Sequence, residues 1–283
     1  MGSNGSSVGG IVGRSAAMQR VRERVAALAT LAVPVLVRGE EGSGRSHVVA
    51  ALRALRGEAD RELWTLRAGD RRLLTPLDPR RSVVLDEVAL LSPVEQARWR
   101  DVLLGARSVP VSLYATSGDD LAEPARRGAF DPLLAESLAR FAIALPPLRE
   151  RQADLPELAA ALAERACARL GRDPVTWSRP ALRLLQMQSW PGNVRELAAA
   201  VERLVAFAGG ARIERSHVEA LFEESPRKVG ATRSARSRHQ REELVRLIDE
   251  TGGNLAEVAR RLQMSRGGVI YRAQKFGLMR KSS

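Results

Sequence analysis

Two hydrophobic patterns divide the chain. In its first half, short apolar runs alternate with stripes of helical period; beyond about residue 145 only the helical stripes continue. The run Val33-Pro34-Val35-Leu36-Val37 reads as a buried strand. A glycine-rich turn and a helix beginning at His47 and reaching about Arg56 follow it. Ahead of it, Ile11-Val12-Gly13-Arg14-Ser15 leads into a helix that sets Met18, Val21, Val25 and Leu28 on one face. Leu63 to Leu66 is a candidate short strand, Ser82 to Glu87 a buried strand ending in two carboxylates, and Val109 to Ser117 a further apolar run. Strands alternating with helices predict an α/β layer with a parallel sheet.

After the rigid connector Leu145-Pro146-Pro147-Leu148-Arg149-Glu150-Arg151, a long alanine-rich helix opens at Ala153-Asp154-Leu155-Pro156. Asn193 is a candidate cap for the next helix, whose apolar face is Val194, Leu197, Ala198, Val201, Leu204 and Val205. In the tail, Leu244, Val245, Leu247 and Ile248 form a helix face ended by Thr251-Gly252-Gly253. Asn254 caps a second helix with Leu255, Val258, Ala259 and Leu262 inward, and Ser265 caps a third with Val269, Ala273 and Phe276 inward. Two short helices, a tight turn and a basic third helix form a helix-turn-helix pattern.

Charge sharpens this picture. The formal net charge is +12, and residues 226–283 hold 14 Lys and Arg against 5 Asp and Glu. A basic module on a nearly neutral body points to an anionic polymer, best read as nucleic acid. Lys228, Lys275 and Lys281 are the only lysines, a general drift toward arginine. Residues 226–241 read as a basic spacer without periodicity. Cys167 is the only cysteine, which excludes a disulfide within the chain and fits a reducing cytoplasm; its helical setting reads as a small buried hydrophobe. No apolar run reaches membrane-span length and Met1 to Ser7 lacks a signal peptide's apolar core, so a cytoplasmic protein with no membrane partner is expected.

The candidate chemistry lies in Gly39-Glu40-Glu41-Gly42-Ser43-Gly44-Arg45-Ser46. Two glycines five apart, a basic residue and a hydroxyl form the phosphate-loop pattern, with Arg45 where lysine belongs. Such glycines let backbone N–H groups curl around a phosphate at a helix N-terminus. Asp86 and Glu87, at the end of an apolar strand 41 residues after Arg45, form the Walker B arrangement. There the Asp holds Mg²⁺ and the Glu orients or deprotonates water. As an isolated strand end, Glu87 would simply be solvated.

In order along the chain, Ile11-Val12-Gly13, Gly39-Glu40, Leu85-Asp86-Glu87, the connector Leu145 to Arg151 and Trp190-Pro191-Gly192-Asn193-Val194-Arg195-Glu196-Leu197 resemble the central AAA+ domain of bacterial enhancer-binding proteins, the activators of sigma-54 RNA polymerase. Asn254 to Ala259 and Ser265-Arg266 are similar to the Fis-type DNA-binding domain that usually ends them. The resemblance implies an AAA+ domain over 11–147, a helical lid over 148–225, a linker over 226–237 and a Fis-type domain over 238–283, behind a flexible start at 1–10. It implies ATP or ADP with Mg²⁺ as ligand, held by Val12, Gly39, Glu41, Gly42, Ser43, Gly44, Arg45, Ser46 and the second sensor Arg195, with the metal on Ser46 and Asp86. Base edges of double-stranded DNA would meet Arg266, Gly267, Ile270, Tyr271 and Gln274, with phosphates on Arg272 and Lys275 and the capping Ser265 counted among the DNA-binding residues.

Departures from the family bear on activity. Its sigma-contacting loop, Gly-Ala-Phe-Thr-Gly-Ala, is absent from the short interval Arg56 to Arg81, and the two arginine-finger positions hold Asp131 and Ser137. Ser117 stands for the sensor asparagine, and the family's usual N-terminal sensory domain is expected to be missing. An arginine finger is worth roughly 10³–10⁵ in rate, so a non-hydrolysing or weakly hydrolysing site is expected, with retention of the nucleotide itself left open. The expectation is a nucleoid-associated bacterial transcription regulator, at least a dimer. The alternatives are an active ATPase remodelling sigma-54 polymerase, and an inactive subunit that co-assembles with active AAA+ relatives.

Overall fold

The computed structural model describes residues 8–75, 78, 80–105, 112–118, 120–208, 211–223, 244–262, 264, 268–270, 273 and 278. Among them no helix is long and apolar enough to cross a membrane. The chain divides into two compact units. One comprises Met1–Ala27, Gly39–Leu55 and Ala144–Thr232; the other comprises Leu28–Arg38, Arg56–Ile143 and Arg233–Ser283.

The second unit is built on five strands, β1 (Val35–Arg38), β2 (Leu63–Leu66), β3 (Ser82–Leu85), β4 (Ser112–Ser117) and β5 (Ala142–Ala144), in the order β2-β3-β4-β1-β5. The pairs β1–β4, β2–β3 and β3–β4 are parallel, the arrangement expected from alternating strands and helices. β1 starts two residues later than its apolar run, because Pro34 has no N–H to give to a ladder. Of the third run, the described part 112–117 is strand and fully buried. Leu36, Leu85, Leu113 and Ala115 of the sheet pack against Trp99 and Val102 of α3 (Pro93–Leu103) and Leu134 and Leu138 of α5 (Pro132–Ala139). α3 starts at a capping box, Ser92 with Glu95, and the short α4 (Ala122–Arg126) precedes α5.

Glu58 ties the other end of this sheet. Though only 4% exposed, its carboxylate accepts hydrogen bonds from Ser82 and Tyr114, each at 3.0 Å, and from Ser112. Burial pushes the Tyr114 phenol up to about 12.

The first unit contains most of α1 (Ala16–Ala29), all of α2 (Arg45–Leu55), and four further helices: α6 (Leu155–Leu170), α7 (Arg179–Gln186), α8 (Asn193–Phe207) and α9 (Arg215–Glu223). A two-stranded parallel pair, β6 (Thr176–Trp177) and β7 (Arg212–Ile213), joins them. Met18, Val21, Val25 and Leu28 are all buried, as the stripe predicts. Small buried residues on α6, Ala159, Ala163 and Ala166, let α8 approach with Leu197, Val201 and Leu204. Cys167 is buried in the same core. Gly171 ends α6 in the left-handed region at φ 62°, where a side chain would be strained.

In the tail, α10 (residues 244–250) and α11 (Leu255–Arg261) share an apolar core of Leu244, Leu247, Val258, Ala259, Val269 and Ala273. Asn254 caps α11 through the N–H groups of Ala256 and Glu257. Gly253 donates to the Ile248 carbonyl at 2.8 Å, closing α10 where the glycine pair predicts its end. Residues 268–270 and 273 are helical, and Phe276 and the capping Ser265 lie outside the described residues.

Candidate nucleotide site

The turn after β1 has the backbone its glycines allow. Gly42 sits at φ 77°, and a Cβ there would lie 2.2 Å from the Gly192 carbonyl oxygen. Gly44 sits at φ 111° with open space where its Cβ would be, directly ahead of α2. Gly44 thus leaves room for a phosphate at the N-terminus of an 11-residue helix, while Gly42 lets the Gly192 carbonyl come close. Gly39 opens the loop, and its Cβ would come within 2.9 Å of Ser43 Oγ. Arg45 is the first, buried residue of α2, which begins two residues ahead of the predicted start; Ser46 is exposed.

Within the same unit, the lid helices grip this loop. Arg195 donates its backbone N–H to the Gly42 carbonyl at 3.3 Å and its Nη1 to Glu41 Oε1 at 2.6 Å. Arg149 forks onto Glu40 at 2.9 and 2.8 Å, which raises the guanidinium pKa. Asn193 corrects the sequence reading. The N-cap of α8 is Gly192, with no side-chain cap bond. Asn193 is instead fully buried at φ 54°, a conformation asparagine tolerates. Its Oδ1 accepts from the Leu148 N–H at 2.8 Å, while Nδ2 donates to Glu40 at 3.2 Å and to the Glu41 carbonyl at 3.0 Å. Its side chain is spent on the loop rather than the helix end. Glu196 takes the cap's N–H at 2.6 Å, and burial raises its pKa.

Beside the loop lies a cavity of about 160 Å³, walled by Ile11, Val12, Val48, Leu158, Leu162 and Val194. Ser43 and Arg151 supply polar groups to it. Arg151 is 3% exposed; it donates to the Ser43 carbonyl at 2.7 Å and touches Met18 Sδ at 3.0 Å. Burial pushes its pKa down and the Asp154 charge opposes that. Asp154, 1% exposed, accepts from the N–H groups of Arg14 and Ser15, both at 2.6 Å, and so fixes the Ile11-Val12-Gly13 wall. Among the described residues, the buried Ser43 hydroxyl has no hydrogen-bond partner. An apolar slot, a glycine cradle a Cβ would fill and an orphaned hydroxyl fit a purine nucleotide. Val12 and Val194 would face the base, and the turn from Gly42 to Ser46 the phosphates.

In the other unit, Asp86 and Glu87 follow β3. Asp86 Oδ1 accepts from Thr116 Oγ1 at 2.8 Å, and Oδ2 accepts from Arg67 Nε at 2.8 Å. Glu87 is left-handed at φ 57°; its N–H meets Thr116 Oγ1 at 3.1 Å and its Oε2 accepts from the Gly118 N–H at 3.1 Å. Ser117 is buried at the end of β4. Asp131 has a structural duty: it caps α5 through the Leu134 N–H at 2.9 Å and pairs with Arg100 at 3.0 Å. Ser137 is half-buried on α5. Among the described residues, no group of three or more His, Cys, Asp or Glu is placed to hold a metal.

Of the predicted DNA-contacting residues, Ile270 is helical and half-buried. Ser265, Arg266, Gly267, Tyr271, Arg272, Gln274 and Lys275 lie outside the described residues. Sequence reasoning took Arg151 and Asp154 as parts of a connector and a helix start, and it passed over Arg67. A buried arginine's partner leaves no local periodic signal. Arg67 could have been found by laying β2 beside β3.

Known proteins match over most of the chain. The family models described as sigma-54 interaction domain, AAA+ ATPase lid domain and bacterial regulatory protein, Fis family, match residues 12–148, 149–235 and 237–276. The transcriptional regulatory protein ZraR of Escherichia coli K12 is 30% identical over 94% of this chain and 68% of its own length. The Nif-specific regulatory protein of Azotobacter vinelandii is 29% identical over 96% of this chain and 60% of its own. The structure of NtrX from Brucella abortus in complex with ADP superposes with TM-score 0.66 at 23% identity, covering 96% of this chain and 70% of that one, a likeness of fold.

Proposed function

The chain belongs to the family of sigma-54-dependent enhancer-binding regulators, and from that premise we propose that it is a DNA-binding transcription regulator whose ATP site holds nucleotide without appreciable turnover. The observation that carries the DNA-binding part is the tail. An Asn254-capped helix and an adjoining helical segment close over their own apolar core, inside a region with 14 basic and 5 acidic residues. Arg266, Tyr271 and Gln274 read bases and Arg272 and Lys275 hold phosphates, as a dimer on a two-fold site in the bacterial nucleoid. The domain limits proposed with this reading are 11–147, 148–225 and 238–283.

ATP or ADP is held by the cavity and the loop from Gly39 to Ser46. Support comes from the orphaned Ser43 hydroxyl, the Gly42 and Gly44 geometry and the presence of ADP in the NtrX structure. With aspartate and serine at the finger positions, no residue there supplies a neighbour with a cation, and the rate term of roughly 10³–10⁵ is lost. One observation favours the reading of an active ATPase that engages polymerase: Arg195 is retained and in contact with the loop.

The test is titration of the full chain with specific and scrambled duplexes at several salt concentrations. Tighter binding to the specific duplex is expected, with a salt slope that falls by about 0.9 when Arg272 or Lys275 is replaced. Equal affinities would overturn base reading, and no binding at low salt would overturn the DNA assignment.

A further inference from the structure

Arg151 is a buried cation that, among the described residues, has no carboxylate within ion-pair distance. It stands between two 3₁₀ turns, Leu148–Glu150 and Gln152–Asp154, at φ −133° and ψ 41°, and belongs to neither. Its side chain and every group it bonds lie within one compact unit. Nη2 donates to the Ser43 carbonyl at 2.7 Å, while Nη1 meets only the thioether of Met18 at 3.0 Å, a weak acceptor. Nε has no hydrogen-bond partner among the described residues. Asp154, whose charge acts on Arg151, has spent its carboxylate on the N–H groups of Arg14 and Ser15 and on the Ser15 hydroxyl at 2.7 Å.

The fold alone gives little reason for such a residue. Taking a cation out of water is costly unless it is paired and fully bonded, and an apolar side chain of similar volume often serves a core as well or better. Its one strong bond falls on the phosphate loop. The Ser43 carbonyl and the Gly44 N–H are the two ends of one trans peptide and point in opposite directions. Arg151 holds the carbonyl end from behind, so the N–H end faces away from it. Gly44 has open space where a Cβ would lie, and its N–H has no hydrogen-bond partner among the described residues. A charged donor on a carbonyl polarises the peptide and strengthens its N–H as a donor to an anion. α2 starts at the next residue, and its N-terminus also favours negative charge.

We propose that Arg151 is a positioning residue for the phosphates of a bound nucleotide. It fixes the Ser43–Gly44 peptide with the Gly44 N–H turned toward the ligand, and its unpaired charge is balanced by the phosphate which that N–H receives. The proposal rests on the nucleotide-binding reading above and adds to it a residue outside the loop.

The test compares the full wild-type chain with Arg151→Met, which fills similar space without charge. Affinity for a fluorescent ADP analogue is read by anisotropy with Mg²⁺ present, adenosine affinity by saturation-transfer NMR titration, and thermal unfolding without ligand by circular dichroism. ADP affinity should fall about tenfold or more, the loss expected for one charge-assisted contact. The ratio of ADP to adenosine affinity should fall with it, because the charge acts on the phosphates. The unfolding midpoint should drop by no more than about 3 °C, or rise, because an unpaired buried cation has been removed. Unchanged ADP affinity, an equal loss for both ligands, or a larger drop in the midpoint would overturn the proposal; the last two would assign Arg151 to the shape of the slot or to the fold. A wild type that binds neither ligand would overturn the nucleotide reading itself, a result distinct from a wild type that binds and a variant that binds equally well.

Discussion

The phosphate loop and the strand-end carboxylates have fared differently in this chain. Around the loop, apart from Arg45 in the place of lysine, the elements a phosphate would need are in place: glycines with positive φ, an apolar slot beside them, and lid residues Arg149, Asn193 and Arg195 bonded to Glu40, Glu41 and Gly42. At the strand ends, the residues that would run hydrolysis have taken structural partners. Asp86 is bonded to Arg67 and Thr116, and Asp131 caps a helix. Holding a nucleotide and cleaving it are separable demands, and a protein that uses the nucleotide as a structural ligand needs only the first.

Substitutions should separate the two regions. Gly42→Ala should be the most damaging, since its Cβ would meet the Gly192 carbonyl at 2.2 Å and the backbone is at φ 77°. A loss of about 2–4 kcal/mol in unfolding free energy, with loss of ADP binding, is expected from denaturant titration and anisotropy. Retained affinity would mean that the lid does not grip the loop this way. Asn193→Ala leaves the buried Leu148 N–H without its acceptor and should cost about 1–3 kcal/mol. A cost below half a kcal/mol would reduce Asn193 to a bystander.

Glu41→Ala tests the exposed end of the grip. Its pair with Arg195 has side chains 45% and 68% exposed, so the stability change should stay under about 1 kcal/mol. Tyr114→Phe probes the sheet alone, at the end away from Asp86 and Glu87. The folded-state phenol, near 12, stands above the ordinary value of about 10, so the fold favours the neutral form. That contribution is fully present below about pH 10 and lost as pH rises toward about 12. Tyr114→Phe should flatten this alkaline loss, lower stability at neutral pH by about 1 kcal/mol through the lost Glu58 bond, and leave ADP affinity unchanged. A change in ADP affinity would show that the sheet's hydrogen bonds do reach the nucleotide.

Much of the architecture was legible from local pattern. Leu63 to Leu66 forms the expected short strand, Ser82 to Leu85 the buried one, and Asn254 the expected cap, because strand burial and helix capping are written in neighbouring residues. Asn193 misled because an asparagine before an apolar stripe signals a cap. Its actual partners, Leu148, Glu40 and Glu41, come from distant parts of the sequence. Arg151 reads as one more charge in a connector. Only the packed unit shows it buried, bonded to the Ser43 carbonyl 108 residues away. The Arg67–Asp86 pair needed the strand register, which no single run of sequence carries.

The most direct test of the central claim is to incubate the full chain with radiolabelled ATP and Mg²⁺, recover the bound fraction, and follow its conversion to ADP beside Asp86→Ala. ATP should be retained on the protein, and the wild type should convert it no faster than the variant. Mg²⁺-dependent turnover that Asp86→Ala abolishes would contradict it.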